Sequence, residues 1–157
     1  EYIILTHGHS DHIGGVASCR KEYPKAKLAA CIHEKPMLED SRLNMSLLTG
    51  GESISLDVDL YVSDGDTMKV GDMELIFLHT PGHTPGGMCI VVENVVFSGD
   101  TLFQQSIGRT DLHGSSFAAI KESIINKLYT LPDDTIVLPG HMGPTSIGYE
   151  KRNNPFV

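Results

Sequence analysis

Four times along this chain a short apolar run ends in a turn that carries histidine or aspartate, and that recurrence limits what the chain can fold into. Tyr2-Ile3-Ile4-Leu5 leads into Thr6-His7-Gly8-His9-Ser10-Asp11-His12, and Glu74–Leu78 into His79-Thr80-Pro81-Gly82-His83. Val95–Ser98 leads into Gly99-Asp100, and Thr135–Leu138 into Pro139-Gly140-His141. A buried strand delivers the turn after it to the rim of its sheet, where alternate positions can point polar side chains to one place. A single histidine after a Pro-Gly turn would be unremarkable; as the fourth strand-end donor it is persuasive.

The first turn is the strongest signal. It holds four metal-binding side chains within six positions, in a chain with 8 histidines among 157 residues. Random placement would give H-x-H-x-D-H with a probability of roughly one in a thousand. Neutral imidazoles and a carboxylate suit zinc-like cations, and Gly8 keeps the turn free of a side chain. In the second turn two prolines and three glycines stiffen the stretch from His79 to Gly87, as a ligand loop requires. His83 is the candidate donor there, while His79 reads equally as a donor or as a packing residue. Asp100 can present two oxygens to two cations; taken alone it would be read as a turn former.

Between these points the pattern is layered. Ile13–Tyr23 is predicted helical and closed by Pro24, and Lys27–Ile32 a strand, so that strand, helix and strand suggest a parallel pair. His33–Asp40 reads as helical and Ser41–Leu56 as a loop. Leu60–Val62, Thr67–Val70 and Glu74–His79 read as short strands broken by Asp64-Gly65-Asp66 and Gly71-Asp72. Gly87–Val92 and Val95–Ser98 flank a tight Glu93-Asn94 turn. Ser115–Leu128 carries Phe117, Ile120, Ile124 and Leu128 at helical spacing, with Ser115 or Ser116 as cap. Strands with helices outside them predict a layered α/β (α+β) architecture, a single domain over residues 1–157.

Composition narrows the function. A net charge of −8 argues against a nucleic-acid partner, which needs clustered Lys and Arg; two divalent cations would halve that charge. No stretch approaches the roughly 18 apolar residues of a membrane span, and the start reads as no signal peptide. Cys19, Cys31 and Cys89 are odd in number and show no C-x-x-C spacing. They read as small buried hydrophobes in a reducing cytoplasm.

Taken together, the motifs resemble those of the metallo-β-lactamase superfamily and, within it, the small glyoxalase II-like (hydroxyacylglutathione hydrolase-like) thioesterases. His7-Gly8-His9-Ser10-Asp11-His12 matches the signature motif, and the order is kept through Ser106–Asp111 to Asn153-Asn154-Pro155-Phe156. The resemblance implies an αββα sandwich. It implies that His7, His9 and His83 hold one metal and Asp11, His12 and His141 a second, with Asp100 bridging. The cofactors implied are two divalent ions, Zn2+ first, with Fe or Mn as alternatives. It implies hydrolysis of a small-molecule thioester by a metal-bridging hydroxide, with Asp11 and Asp100 as the catalytic carboxylates. Arg109 is a candidate for substrate binding; pairing with a site carboxylate or a plain surface ion pair are its other readings. Tyr149–Arg152 read as a solvated helix or as part of the substrate mouth.

Two departures carry expectations. The family's domain begins with strands ahead of the H-x-H-x-D-H motif, and this chain begins at the motif strand. An open sheet edge and exposed apolar surface are therefore expected, in a piece of a longer product or in a homo-oligomer. Larger glyoxalase II enzymes also carry a helical domain after this region that helps hold glutathione, so the carrier thiol stays open. The rival readings are a mononuclear-iron persulfide dioxygenase, for which His7, His83 and Asp100 would suffice, and a phosphodiesterase or nuclease, which the acidic charge disfavours. A non-catalytic domain is disfavoured because all seven donor positions are filled, and the redox di-iron branch because His9 is not Glu.

Overall fold

β1 (Tyr2–Ile4), the strand that precedes the histidine turn, pairs in parallel with β2 (Lys27–Cys31), and β2 pairs in parallel with β3 (Leu60–Val62). The computed structural model describes residues 1–49 and 52–157. The second sheet is six-stranded, in the order β11-β10-β7-β6-β5-β4. It comprises β4 (Thr67–Val70), β5 (Met73–His79), β6 (Met88–Val92), β7 (Val95–Gly99), β10 (Ile136–Pro139) and β11 (Thr145–Ser146). A separate two-stranded hairpin joins β8 (Leu102–Phe103) to β9 (Ser106–Ile107).

Helices cover both outer faces. α1 (Ser10–Ile13), α2 (Val16–Glu22) and α3 (Lys35–Glu39) lie over the first sheet, where Ile13, Val16, Leu28 and Leu38 share a buried cluster. α4 (Phe117–Asn126) and α5 (Ile147–Asn153) lie over the second, where Ile120, Ile124 and Ile147 pack on Val96 and Val137. Between the sheets, Ala29 and Cys31 meet Phe77, Met88 and Ile90. This is the four-layer αββα sandwich that the resemblance implies. Each fully buried Phe, Ile or Leu contributes about 1.5–3 kcal/mol of apolar burial, so these three clusters hold the layers together.

Three of the four donor-bearing strands run in one direction within the six-stranded sheet. β7 is parallel to β10, and β5 and β7 are each antiparallel to β6. Their C-terminal ends therefore share one rim. The exit of β1 reaches the same rim because Met88 donates its backbone N–H to the Thr6 carbonyl at 2.9 Å, across the gap between the sheets.

Several boundaries differ from the sequence reading. The helix expected over Ile13–Tyr23 is α2, starting only at Val16; Ile13 instead ends α1, and Gly14-Gly15 part the two, glycine costing about 1 kcal/mol of helix propensity per residue. His33–Asp40 is a 3-10 turn (Ile32–Glu34) running into α3. α4 is shorter than Ser115–Leu128, is capped by Ser116, and is followed by a 3-10 turn at Leu128–Thr130. The loop expected over Ser41–Leu56 has only turns where it is described, and residues 50–51 lie outside the described residues. Cys31 and Cys89 are buried, whereas Cys19 is exposed on the outer helix, so the burial expected of all three holds for two. Glu150, read as part of a solvated helix or a substrate mouth, is fully buried on the inner side of α5.

β1 is an outermost strand of its sheet. Beside it an apolar groove of about 360 Å³ opens between the sheets, lined by Ile4, Val70, Leu75, Val92 and Phe97. The exposed apolar surface expected next to β1 is therefore present.

Candidate metal centre

The seven side chains singled out in the sequence converge at the shared rim in overlapping groups. These are His7, His9 and His83; His7, His12 and Asp100; and Asp11, His12 and His141, with donor atoms within 4.8 Å of one another inside each group. The first group is buried. His9 Nδ1 lies 2.9 Å from His83 Nε2, and His7 Nε2 is buried with no hydrogen-bond partner among the described residues. The last group opens to solvent: His12 Nε2 is 3.3 Å from His141 Nε2, and His141 Nε2 is 3.2 Å from Asp11 Oδ2.

Asp100 stands between the two. Its Oδ1 is 3.3 Å from His12 Nε2, and its Oδ2 is 3.5 Å from His83 Nε2 and 3.4 Å from His141 Nε2. Such contact needs the neighbouring turn to be bare. A Cβ on Gly140 would lie 2.4 Å from Asp100 Oδ1 and 2.6 Å from His12 Cε1, so only glycine lets the β10 turn pass so close to this carboxylate.

Electrostatics favour cation binding. Burial, reinforced by repulsion from the other imidazoles, holds His7 well below its ordinary value. Burial and then His83 bring His9 down to about 4, and burial lowers His83. Burial raises Asp100, against the pull of His12, His83 and His141. Burial thus disfavours protonated His7, His9 and His83 while their ring nitrogens converge, an arrangement that suits a shared cation better than added protons. His7 Nε2 and Asp100 Oδ1, both buried without a hydrogen-bond partner among the described residues, point the same way, and the donor set fits divalent metal.

The cavity above the cluster holds about 420 Å³, with Met45, Phe103, Arg109 and Leu112 among its walls. The Arg109 side chain makes a two-pronged ion pair with Asp111 at 2.9 Å and does not touch a site carboxylate. Its backbone carbonyl is the group that reaches the centre, accepting from His83 Nδ1 at 2.9 Å. His79 lies outside the cluster: it stacks on His33 with ring centroids 4.7 Å apart and lies 2.9 Å from the Pro85 carbonyl.

Two buried carboxylates escaped the sequence reading. Glu34 is 1 % exposed and joins the two histidine-bearing loops. Glu150 accepts from the Gln105 N–H, the Thr145 hydroxyl and the Asn154 amide, tying the β8–β9 hairpin to α5. Neither residue lies in a motif; the only signal was an acidic residue inside a segment that proves to be buried.

Known proteins resemble this chain over nearly its whole length. The chain is 39% identical over 160 residues to the probable metallo-hydrolase YqgX of Bacillus subtilis, covering 99% of this chain and 74% of that protein. It is 34% identical over 164 residues to hydroxyacylglutathione hydrolase GloC of Haemophilus influenzae, covering 99% and 74%. Among solved structures, the BLEG-1 B3 metallo-beta-lactamase superposes with a TM-score of 0.91 at 41% identity, over 99% of this chain and 76% of that one. TTHA1623 in a di-iron-bound form superposes at 0.84 with 34% identity, over 99% and 77%. The family profile described as the metallo-beta-lactamase superfamily matches residues 1–141, and the chain belongs to that superfamily.

Proposed function

We propose that this chain is a two-metal hydrolase of thioesters, with hydroxyacylglutathione and related acyl thioesters as its substrate class. The observation that carries the reading is Asp100, whose two oxygens face donors of both clusters. Divalent ions bound there would act as Lewis acids and bring the pKa of a water towards neutrality. We take Zn2+ as the first candidate, from the imidazole-rich donor set, with iron or manganese as alternatives; the di-iron form of TTHA1623 supports iron.

The chain's own residues do the rest. His7, His9 and His83 would hold one cation and Asp11, His12 and His141 the other. Asp11, half exposed at the cavity edge, offers its second oxygen to orient the attacking water. Once the water has released one proton to solvent, its oxygen forms a C–O bond at the carbonyl carbon and the C–S bond breaks; the thiolate departs with the bonding pair, and the new carboxylic acid loses its proton to solvent as carboxylate. A thiolate is a stable leaving group, so no separate acid is required. Phe103, Leu112 and Met45 shield the acyl portion, and Arg109 at the mouth meets an anionic carrier.

The absence of a C-x-x-C pair and the three free cysteines support a reducing compartment, the cytoplasm. No helix among the described residues is long and apolar enough to cross a membrane. The groove beside β1 supports self-association of this chain, which light scattering over a concentration series measures.

The deciding experiment combines metal analysis of the purified protein with turnover of a thioester panel and a β-lactam control. Hydrolysis of hydroxyacyl thioesters with about two metals per chain is expected. Oxygen consumption with glutathione persulfide and no thioester turnover would replace this reading with the dioxygenase one. Turnover of the β-lactam alone would move the chain to the activity named for BLEG-1.

A further inference from the structure

Glu34 is a buried acid with no place in the chemistry above. It follows β2 in a 3-10 turn, is 1 % exposed, and stands beneath the metal centre rather than in it. Each of its carboxylate oxygens meets one backbone N–H. Oε1 accepts from Gly8 at 2.7 Å and Oε2 from Gly86 at 2.7 Å. Gly8 lies between His7 and His9, and Gly86 closes the loop that carries His83.

The contact at Gly86 requires glycine, and the one at Gly8 leaves little room for a side chain. A Cβ on Gly86 would stand 2.2 Å from the Glu34 backbone nitrogen and 2.5 Å from Oε2. One on Gly8 would stand 3.2 Å from Oε1 and 3.0 Å from Met37 Cγ. Both loops are thus shaped to let one carboxylate reach their backbones. The loops belong to different sheets: the Gly8 turn leaves β1, and the Gly86 loop links β5 to β6. No other side chain among the described residues bonds to the backbone of both. Burying a carboxylate is costly, and hydrogen bonds to both oxygens are what makes it tolerable.

We propose that Glu34 is a positioning residue for the buried donor cluster, clamping the His7-Gly8-His9 turn to the His83 loop so that the three imidazoles are spaced before any ion arrives. The proposal rests on the metal-centre reading, and its role is distinct from ligation, because Glu34 touches no donor atom of that centre. Glu34→Gln keeps size and shape but sets an amide NH2 against one of the two N–H donors. That mismatch loosens one loop relative to the other.

The test is a Co2+ titration of metal-free protein, followed by d–d absorption and chelator competition, in wild type, Glu34→Gln, His141→Ala and the double variant. Wild type is expected to take up two equivalents, and His141→Ala to keep the buried one. Glu34→Gln is expected to weaken that buried equivalent by roughly 10–100-fold, the usual effect of removing an outer partner, and the double variant to bind weakly at both positions. Wild type that binds no Co2+ would sink the metal-centre reading itself. Wild type that binds two equivalents with Glu34→Gln unchanged would sink only the clamp. A lowered melting temperature of metal-free Glu34→Gln with unchanged Co2+ affinities would make Glu34 merely structural and overturn the proposal. If the variant does not fold, NMR of wild type decides. Gly8 and Gly86 amide protons that are shifted downfield and protected from exchange, alike with and without Zn2+, show a clamp formed in advance. Amides that become protected only on Zn2+ addition overturn it.

Discussion

His83 turns Nδ1 to the backbone carbonyl of Arg109 at 2.9 Å, and this contact fixes which of its nitrogens can serve a metal. A carbonyl only accepts, so the proton sits on Nδ1 and the Nε2 lone pair faces His9 and Asp100. The contact uses the backbone of residue 109, which any amino acid supplies.

Arg109→Ala is therefore expected to leave metal content unchanged. Its side chain is free to matter only for substrate, once it leaves Asp111. KM for a thioester with a carboxylate-bearing carrier should rise by up to roughly tenfold, the scale of an exposed charge pair. KM for a neutral thioester should stay within about twofold. Steady-state kinetics on the two substrates, with metal analysis of each preparation, check this.

Asp100→Ala removes the only side chain whose oxygens face both donor clusters among the described residues. Turnover should fall by more than about 100-fold, with metal lost from the preparation. A variant that keeps both metals and most of its kcat would show that Asp100 does not join the sites.

The metal-free protein should weaken in acid. His7, His9 and His83 all titrate below the value of 6.5 that an unfolded chain would show, His9 at about 4. Between these values the unfolded state binds more protons, so stability falls as pH drops from about 6.5 towards 4. Asp100, raised by burial, acts in the opposite direction, but it is one group against three. Urea melts of chelator-treated protein from neutral pH to about pH 5 measure the slope.

The cysteines should separate by reactivity. Cys19 is exposed, Cys31 is buried, and burial pushes the Cys89 thiol up to about 11. Native protein should take one equivalent of iodoacetamide rapidly and denatured protein three. Intact mass counts the adducts, and peptide mapping should place the first on Cys19.

Local chemistry was legible in the sequence, and long-range chemistry was not. His7, His9, Asp11 and His12 stand in one turn, and His83, Asp100 and His141 each follow an apolar run, so strand-end logic reached all seven. Glu34 was invisible because its two partners lie 26 and 52 positions away and neither glycine announces an acceptor. Glu150 was hidden similarly, its Gln105 contact spanning 45 positions inside what looked like a charged surface helix. The layered α/β architecture followed from the order of the elements, and its four αββα layers from the family resemblance. The two-residue strands β8, β9 and β11 are too short for any periodicity to register. The helix break at Gly14-Gly15 was visible as a pair of glycines near the start of the expected Ile13–Tyr23 helix.

The hydrogen bond from Met88 to Thr6 crosses the seam between the two sheets, and the donor clusters straddle that seam. His7, His9, Asp11 and His12 follow the three-stranded sheet, while His83, Asp100 and His141 follow the six-stranded one. Each ion would therefore act as a rivet through both halves of the sandwich. Each ion at a hundredfold excess over its dissociation constant would add about 2.7 kcal/mol to cohesion. Pulled apart from its two ends, a loaded molecule should resist as one body, and a chelated one should yield first along the seam.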